Sequence, residues 1–474
     1  MSTTELGIYN LTVSVYMVLI TIVGASIPLT ISKITAINKS KNTESETKYS
    51  VTSSLLLTTT LSIFLSLLLI ISKPILTLLI GDEIGYYIIL SLIPSIIFTA
   101  IHSQIRGYLW GLENYFAVSI VEFIEQIMRI GFCLLFGITG WFKSPIIAVG
   151  VALSIACGLS TIYGIILYFK NGGRFKYKNG YFKSIIKSSL PLTGVRLFGS
   201  LLQPIIAILL PLRLCSLGMS KNLALSELGI VMGMTMPLLS IPSTLIGAMC
   251  MILIPRINGI NNNDELKTQI NTYLKFTITC SFLFIPVFIS LSTPICNYVY
   301  GNLNAGIYMT NCSWIIIPLG LSQITTSILN AISEEQKSFM YYVISSIFLI
   351  LLIVILPNFA GIQAMLLASG ISSTLLVILN LNYLRKKTNI KTQILKSLFL
   401  FVLVSIPVII LDNFCYNILI NCMSTFISIM LTGIISVLGF MAMLFVFGIM
   451  DIKILKEYLL KNIKIKSKKD KLKA

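Results

Sequence analysis

Residues 51–72 read VTSSLLLTTTLSIFLSLLLIIS, a run of apolar and hydroxyl side chains without a single charge. As a helix rising 1.5 Å per residue it is about 33 Å long, and the hydrocarbon core of a bilayer is about 30 Å thick. Runs of this length recur along the chain. The spacing predicts thirteen helical spans, at 8–31, 51–72, 86–108, 117–139, 145–169, 190–214, 228–254, 273–292, 307–330, 339–357, 361–384, 396–413 and 423–449. The fold class is therefore an all-α, polytopic membrane protein. A β-barrel is excluded, because it alternates polar and apolar residues in segments of about ten. In lipid, only helices otherwise satisfy their own backbone groups.

Composition agrees. Of 474 residues 56% are hydrophobic and 11% charged, against about 25% charged in a soluble domain, and the mean hydropathy is +0.91. The net charge of +18 does not indicate nucleic acid, since there is no basic soluble domain to bind it. The basic residues sit in loops. With these spans, 27 of them fall on one side, including Lys33, Lys39, Lys41 and Lys48, and only Lys73, Lys143 and Lys221 on the other. The positive-inside rule makes the first side cytoplasmic, with the N-terminus outside and the C-terminus inside. The lysine-rich tail after Asp451 repeats Ile452, Leu455, Leu459 and Ile463 at helical spacing, which suits either an anionic membrane surface or a solvated tail.

The chain repeats itself. Glu5-Leu6-Gly7-Ile8 opens the first span and Glu227-Leu228-Gly229-Ile230 the seventh. Ser72-x-Pro74-Ile75 with Gly81 answers to Ser292-x-Pro294-Ile295 with Gly301, and Pro94 precedes Ser103 as Pro318 precedes Ser327. Three matches in order at a nearly constant offset mark an internal repeat. Matching spans cross in one direction, so the repeat is parallel, with a substrate site expected between halves. The expected division is an N-lobe of five spans over 1–189, a C-lobe of six over 190–390, and two further spans with the tail over 391–474. By symmetry a helix precedes Glu5, and the sequence as written does not contain it.

These landmarks resemble the multidrug/oligosaccharidyl-lipid/polysaccharide exporter superfamily, most nearly the branch of stage V sporulation protein B and related polysaccharide-biosynthesis membrane proteins. The residues that carry the resemblance are Gly7-Ile8-Tyr9 with Gly24, Ile27-Pro28 and Ser32-Lys33, then Arg106-Gly107-Tyr108 with Gly111, Glu125-Gln126 and Arg129. In the second half they are Gly233-Met234, Pro237-Leu238-Leu239, Pro242 and Pro255-Arg256. The resemblance implies two helical lobes around a central cavity, moving a lipid-linked saccharide across the cytoplasmic membrane by alternating access. It also implies a first helix that helps line that cavity, absent here. Trp110 and Glu122 stand where the branch usually has glutamine.

Charges inside spans are costly and mark cavities or partners. Glu122, Glu125 and Arg129 are spaced three and four apart, on one face of the fourth span. They either line a substrate cavity, with Arg129 on a phosphate and a glutamate taking up a coupling proton or sodium ion, or form a structural Glu125–Arg129 pair. Arg196, two turns inside the sixth span, suits a pyrophosphate through its planar fork, or snorkels to the interface. Arg106 ends the third span beside Gly107 and Gly111, as a gate of the inner mouth or as an anchor. Arg213 and Lys275 read as interface anchors.

His102 is the only histidine, so His-based metal sites and catalytic triads have little to build on, and no cofactor or metal is expected. Most of the nine cysteines read as packing residues; Cys415 and Cys422 share one outer loop, where a bridge is conceivable. The prolines suit kinked, rocking helices. The function expected is a flippase for a peptidoglycan or polysaccharide precursor, with cell-wall synthases as partners. A cation-coupled multidrug antiporter is the alternative. A membrane enzyme is disfavoured, because the cytoplasmic loops hold lysine rather than clustered acids or histidines.

Overall fold

The structure is a computed structural model that describes residues 2–447 apart from 25, 42, 81, 143, 179, 259–261 and 390–393. Among the described residues every regular element is helical, and contacts group the chain into a first unit ending at Gly233 and a second beginning at Met234. The division falls within a π-helical turn, Val231–Thr235.

The first unit holds α1 (Thr3–Gly24), α2 (Ile27–Ser40), α3 (Glu44–Ile71), α4 (Lys73–Ile80), α5 (Glu83–Gly111), α6 (Tyr115–Thr139), α7 (Pro145–Lys170), α8 (Tyr181–Ser216) and α9 (Lys221–Ile230). The second holds α10 (Met236–Leu239), α11 (Ile241–Asn258), α12 (Asn263–Tyr300), α13 (Leu303–Cys312), α14 (Ile316–Ala331), α15 (Glu335–Ile355), α16 (Pro357–Ala360), α17 (Ala364–Thr388), α18 (Ile394–Cys422) and α19 (Thr425–Val446).

Twelve helical stretches are long and apolar enough to cross a membrane, among the described residues. They account for twelve of the thirteen expected spans. The other, α6, is 25 residues long, but Glu122, Glu125 and Arg129 interrupt its apolar run. Several bounds differ from expectation. The first crossing continues through α2, so Lys33 and Lys39 lie on a helix rather than in a loop. The seventh breaks into α9, α10 and α11 near Pro237 and Pro242, which have no N–H to give the helix ladder. Cys415 and Cys422 do not share a loop. Both belong to α18, about 10 Å apart along its axis, too far for a bridge, and all nine cysteines are free thiols. The tail, Lys143 and the side chain of Arg256 lie outside the described residues.

The sixth span was expected to open the C-lobe at residue 190. In the structure α8 packs on α1, α2 and α3, and α9 packs on α1, so both join the first unit. Arg129 and Arg196 thus belong to one unit, not one to each.

Within the first unit α5 is the pivot, touching α1, α2, α3, α4, α6 and α7. Glycines let it approach closely. A Cβ on Gly107 would lie 2.4 Å from the Pro28 carbonyl oxygen, and one on Gly111 2.4 Å from Thr35 Cβ, so only glycine admits α2 there. Asp82 caps its start, accepting from Ile84 N at 2.8 Å. Lys39 reaches the Leu112 carbonyl at 3.2 Å just past its end, where a cation also favours the helix dipole.

The run that opens the sequence forms α3. Ser50, Ser54, Thr58, Ser62 and Ser66 recur at every fourth residue and are all buried, while Leu56, Phe64, Leu67 and Leu68 are exposed for lipid. Each of the five hydroxyls bonds a carbonyl three or four residues back in α3 itself.

Candidate functional site

Three helices of the first unit bring the charged residues together. His102 and Arg106 stand one turn apart on α5; Glu122, Glu125, Gln126 and Arg129 run along α6; Cys157 and Ser160 come from α7. α7 packs tightly on both α5 and α6 and so fixes their relative places.

Glu125 is the centre. Its Oε1 accepts from Arg129 Nη2 at 2.5 Å, one turn along α6, and lies 3.6 Å from Cys157 Sγ. Its Oε2 lies 3.4 Å from Ser160 Oγ, which makes a shorter bond, 3.0 Å, to the Cys157 carbonyl, and His102 Nδ1 stands 3.9 Å away, just beyond hydrogen-bond range. The Glu125 side chain is 14% exposed and that of Arg129 34%, so the pair is sunk on its carboxylate side and open on its guanidinium side. Arg129 Nη1 also donates to Gln126 Oε1 at 3.3 Å, whereas its Nε is buried without a partner. The phenols of Tyr9 and Tyr16 on α1 are within electrostatic reach of Arg129.

Arg106 has a second arrangement nearer the end of α5. Its Nη1 donates to Glu122 Oε1 at 3.1 Å, and its guanidinium carbon lies 4.8 Å from the centre of the Trp110 ring, a cation–π distance. Its Nε, too, is buried and unpartnered. Glu122 and Trp110 are the two positions that depart from the branch pattern, and both act on the same guanidinium. Arg196, exposed on α8, is within electrostatic reach of Arg106. The crevice between His102, Arg106, Val121 and Gly164 admits no water molecule.

The face expected from spacing is thus shared between two pairs. Glu125 meets Arg129, but Glu122 turns to Arg106 on the neighbouring helix. Arg213 bonds Ser216 at the end of α8, away from the cluster. Sequence reasoning missed Ser160 and the contact of Cys157, because α7 neighbours α6 in space with no signature in spacing. It also passed over Asp412, a lone charge in an apolar run that could have been noticed for that reason alone.

A model of the polysaccharide biosynthesis protein family matches residues 1–261. The chain belongs to that family. It is 23% identical over 327 residues to stage V sporulation protein B of Bacillus subtilis strain 168, a match that spans 64% of this chain and 62% of that protein. It is 20% identical over 314 residues to sporulation protein YkvU of the same organism, covering 62% of this chain and 68% of the relative. Two solved structures share the fold. One is the inward-facing conformation of a multidrug-resistance MATE-family transporter of the MOP superfamily (TM-score 0.71, 13% identity, 82% of this chain and 91% of that one). The other is lipid II flippase MurJ, inward closed (TM-score 0.65, 16% identity, 94% and 98%). The resemblance to polysaccharide-biosynthesis membrane proteins carried by the sequence motifs therefore holds.

Proposed function

We propose that this family member moves a lipid-linked saccharide, a peptidoglycan or polysaccharide precursor, across the bacterial cell membrane by alternating access. The observation that carries the reading is the Arg129 guanidinium, about one-third exposed beside the sunken Glu125 carboxylate on a largely apolar helix. A phosphate or diphosphate link is the anion that suits a planar donor fork, and Arg106 on α5 and Arg196 on α8 are further forks of the same kind. Family membership and the fold shared with a lipid II flippase support this assignment. Glu125 takes up the coupling proton or sodium ion, because its sunken carboxylate faces polar groups of α6 and α7, with His102 of α5 close by. The N-terminus lies outside and the C-terminus in the cytoplasm, where anionic lipids and cell-wall synthases are the natural neighbours.

A cation-coupled multidrug antiporter is the second reading. The Glu125 carboxylate with the Tyr9 and Tyr16 rings favours it, as the set an organic cation requires. Full-length protein in liposomes separates the two. Flipping of a fluorescent undecaprenyl-linked sugar, responsive to an imposed proton or sodium gradient, supports the flippase. Extrusion of a cationic dye with no flipping of the lipid assigns the antiporter instead.

A further inference from the structure

In the second unit α18 and α19 pack against each other and against α12. At that three-helix contact sits Asp412, wholly excluded from the surface. It lies ten residues before Cys422 at the end of α18, about 15 Å along the axis, and so near the middle of a core about 30 Å thick.

Its polar partners are few. Ser290 Oγ of α12 stands 3.4 Å from Asp412 Oδ2, but the same hydroxyl makes a shorter bond, 2.8 Å, to the Pro286 carbonyl. A serine has one hydroxyl proton, so the carboxyl does not command it. Asp412 Oδ1 has no partner. Ser436 Oγ approaches the carboxyl from α19, without hydrogen-bond geometry to any acceptor. Among the described residues no opposite charge helps. Over Thr425–Val446, α19 has no titratable side chain; on α12, Cys280 lies ten residues and Lys275 fifteen residues before Ser290, and Cys296 lies beyond it. On α18 itself the nearest titratable groups are Cys415 and Tyr416.

An ionised carboxylate in this position bears its full desolvation cost with nothing to offset it. We infer that Asp412 is a proton-binding site. One proton on Oδ1 makes the carboxyl neutral and turns two unpartnered atoms into a donor–acceptor pair, with Asp412 O–H donating to Ser436 Oγ. Three oxygen-bearing side chains, Asp412, Ser290 and Ser436, fall short of the six or more oxygens that a hard metal cation takes. Water reaches the carboxyl only when α18 or α19 withdraws from α12, so proton occupancy and the packing of this helix pair are linked. The site is remote in sequence from Glu125 and stands whatever the substrate is.

Infrared spectroscopy of the full-length protein in lipid, near neutral pH, tests it. Asp412→Asn copies the shape of the neutral acid. Subtracting its spectrum from the parent's is expected to show one protonated-acid carbonyl band, lost in the variant and shifted by deuteration. Loss of carboxylate bands instead overturns the proposal, and a carboxylate band that responds to sodium assigns the seat to a metal cation. If Asp412→Asn does not fold, Asp412→Glu carries the same test, since it moves the acid band rather than removing it.

Discussion

Gly7 on α1 and Gly229 on α9 lie back to back. A Cβ on Gly229 would fall 2.6 Å from the Gly7 nitrogen, and a Cβ on Gly7 1.9 Å from the Leu225 carbonyl oxygen. These are the two glycines of the repeated Glu-Leu-Gly-Ile landmark, so the copies of the motif meet each other. What a side chain strikes here is backbone, which does not yield. Gly7→Val and Gly229→Val are expected to cost about 1–3 kcal/mol each through overpacking, read as a lower melting temperature in detergent. Gly131→Ala is the control. Nothing lies within 4 Å of it, and alanine in a helix interior is favoured by up to about 1 kcal/mol.

Arg196→Ala is expected to slow flipping roughly ten- to a hundredfold, the worth of a charge-assisted hydrogen bond, with expression and melting temperature unchanged. Lysine restores part of the rate, because it keeps the charge and lacks the fork. Arg213→Ala leaves the rate alone, since its partner Ser216 ends the same helix. Equal rates for the parent and Arg196→Ala return Arg196 to the role of interface anchor.

The two glutamates of α6 separate cleanly. Glu122 is about half exposed, so Glu122→Gln costs little stability, about 0–1 kcal/mol. It frees Arg106 from its carboxylate and is expected to lower the KM for an anionic lipid. Glu125→Gln keeps an acceptor for Arg129 but loses the ion pair, and is expected to lose about 1–3 kcal/mol. Its flipping no longer responds to pH or sodium. A Glu125→Gln protein that keeps the full ion response leaves Glu125 as a structural partner of Arg129.

At the start of α15, outside the spans, Glu334 bonds Lys387 and accepts from Tyr383 Oη at 2.7 Å. Lys387 first and Tyr383 second hold its carboxyl below the usual range. A depressed carboxylate adds stability above its ordinary pKa and loses it as pH falls through the lowered value. Melting curves of the parent and Glu334→Gln are therefore expected to differ at neutral pH and to converge in acid. A difference that persists unchanged in acid assigns the effect to packing.

What the sequence made legible was periodic or local. Charge-free runs revealed the spans, and i and i+4 spacing offered the Glu125–Arg129 pair. Partners across helices were not legible. The turn of Glu122 toward Arg106, the place of Ser160 and the setting of Asp412 depend on which helix lies alongside. That is decided by shape fit between long apolar surfaces, which composition does not encode. The grouping of α8 has the same origin: repeat symmetry places it in the second half, and its contacts with α1, α2 and α3 group it with the first.

The hydroxyl row of α3 bears on how this unit moves. Every one of those groups is satisfied within its own helix, so it asks nothing of the surface it slides over; Thr58 alone also reaches outward, with a long 3.4 Å contact to the Ala100 carbonyl. The row itself gives α5 little to grip, and the firmer tie between the two helices lies near the end of α3, where the Tyr86 hydroxyl donates to the Ile70 carbonyl at 3.0 Å. A shift of α3 along α5 would break that bond while leaving the row's own bonds intact, so α3 is tethered near one end rather than along its length.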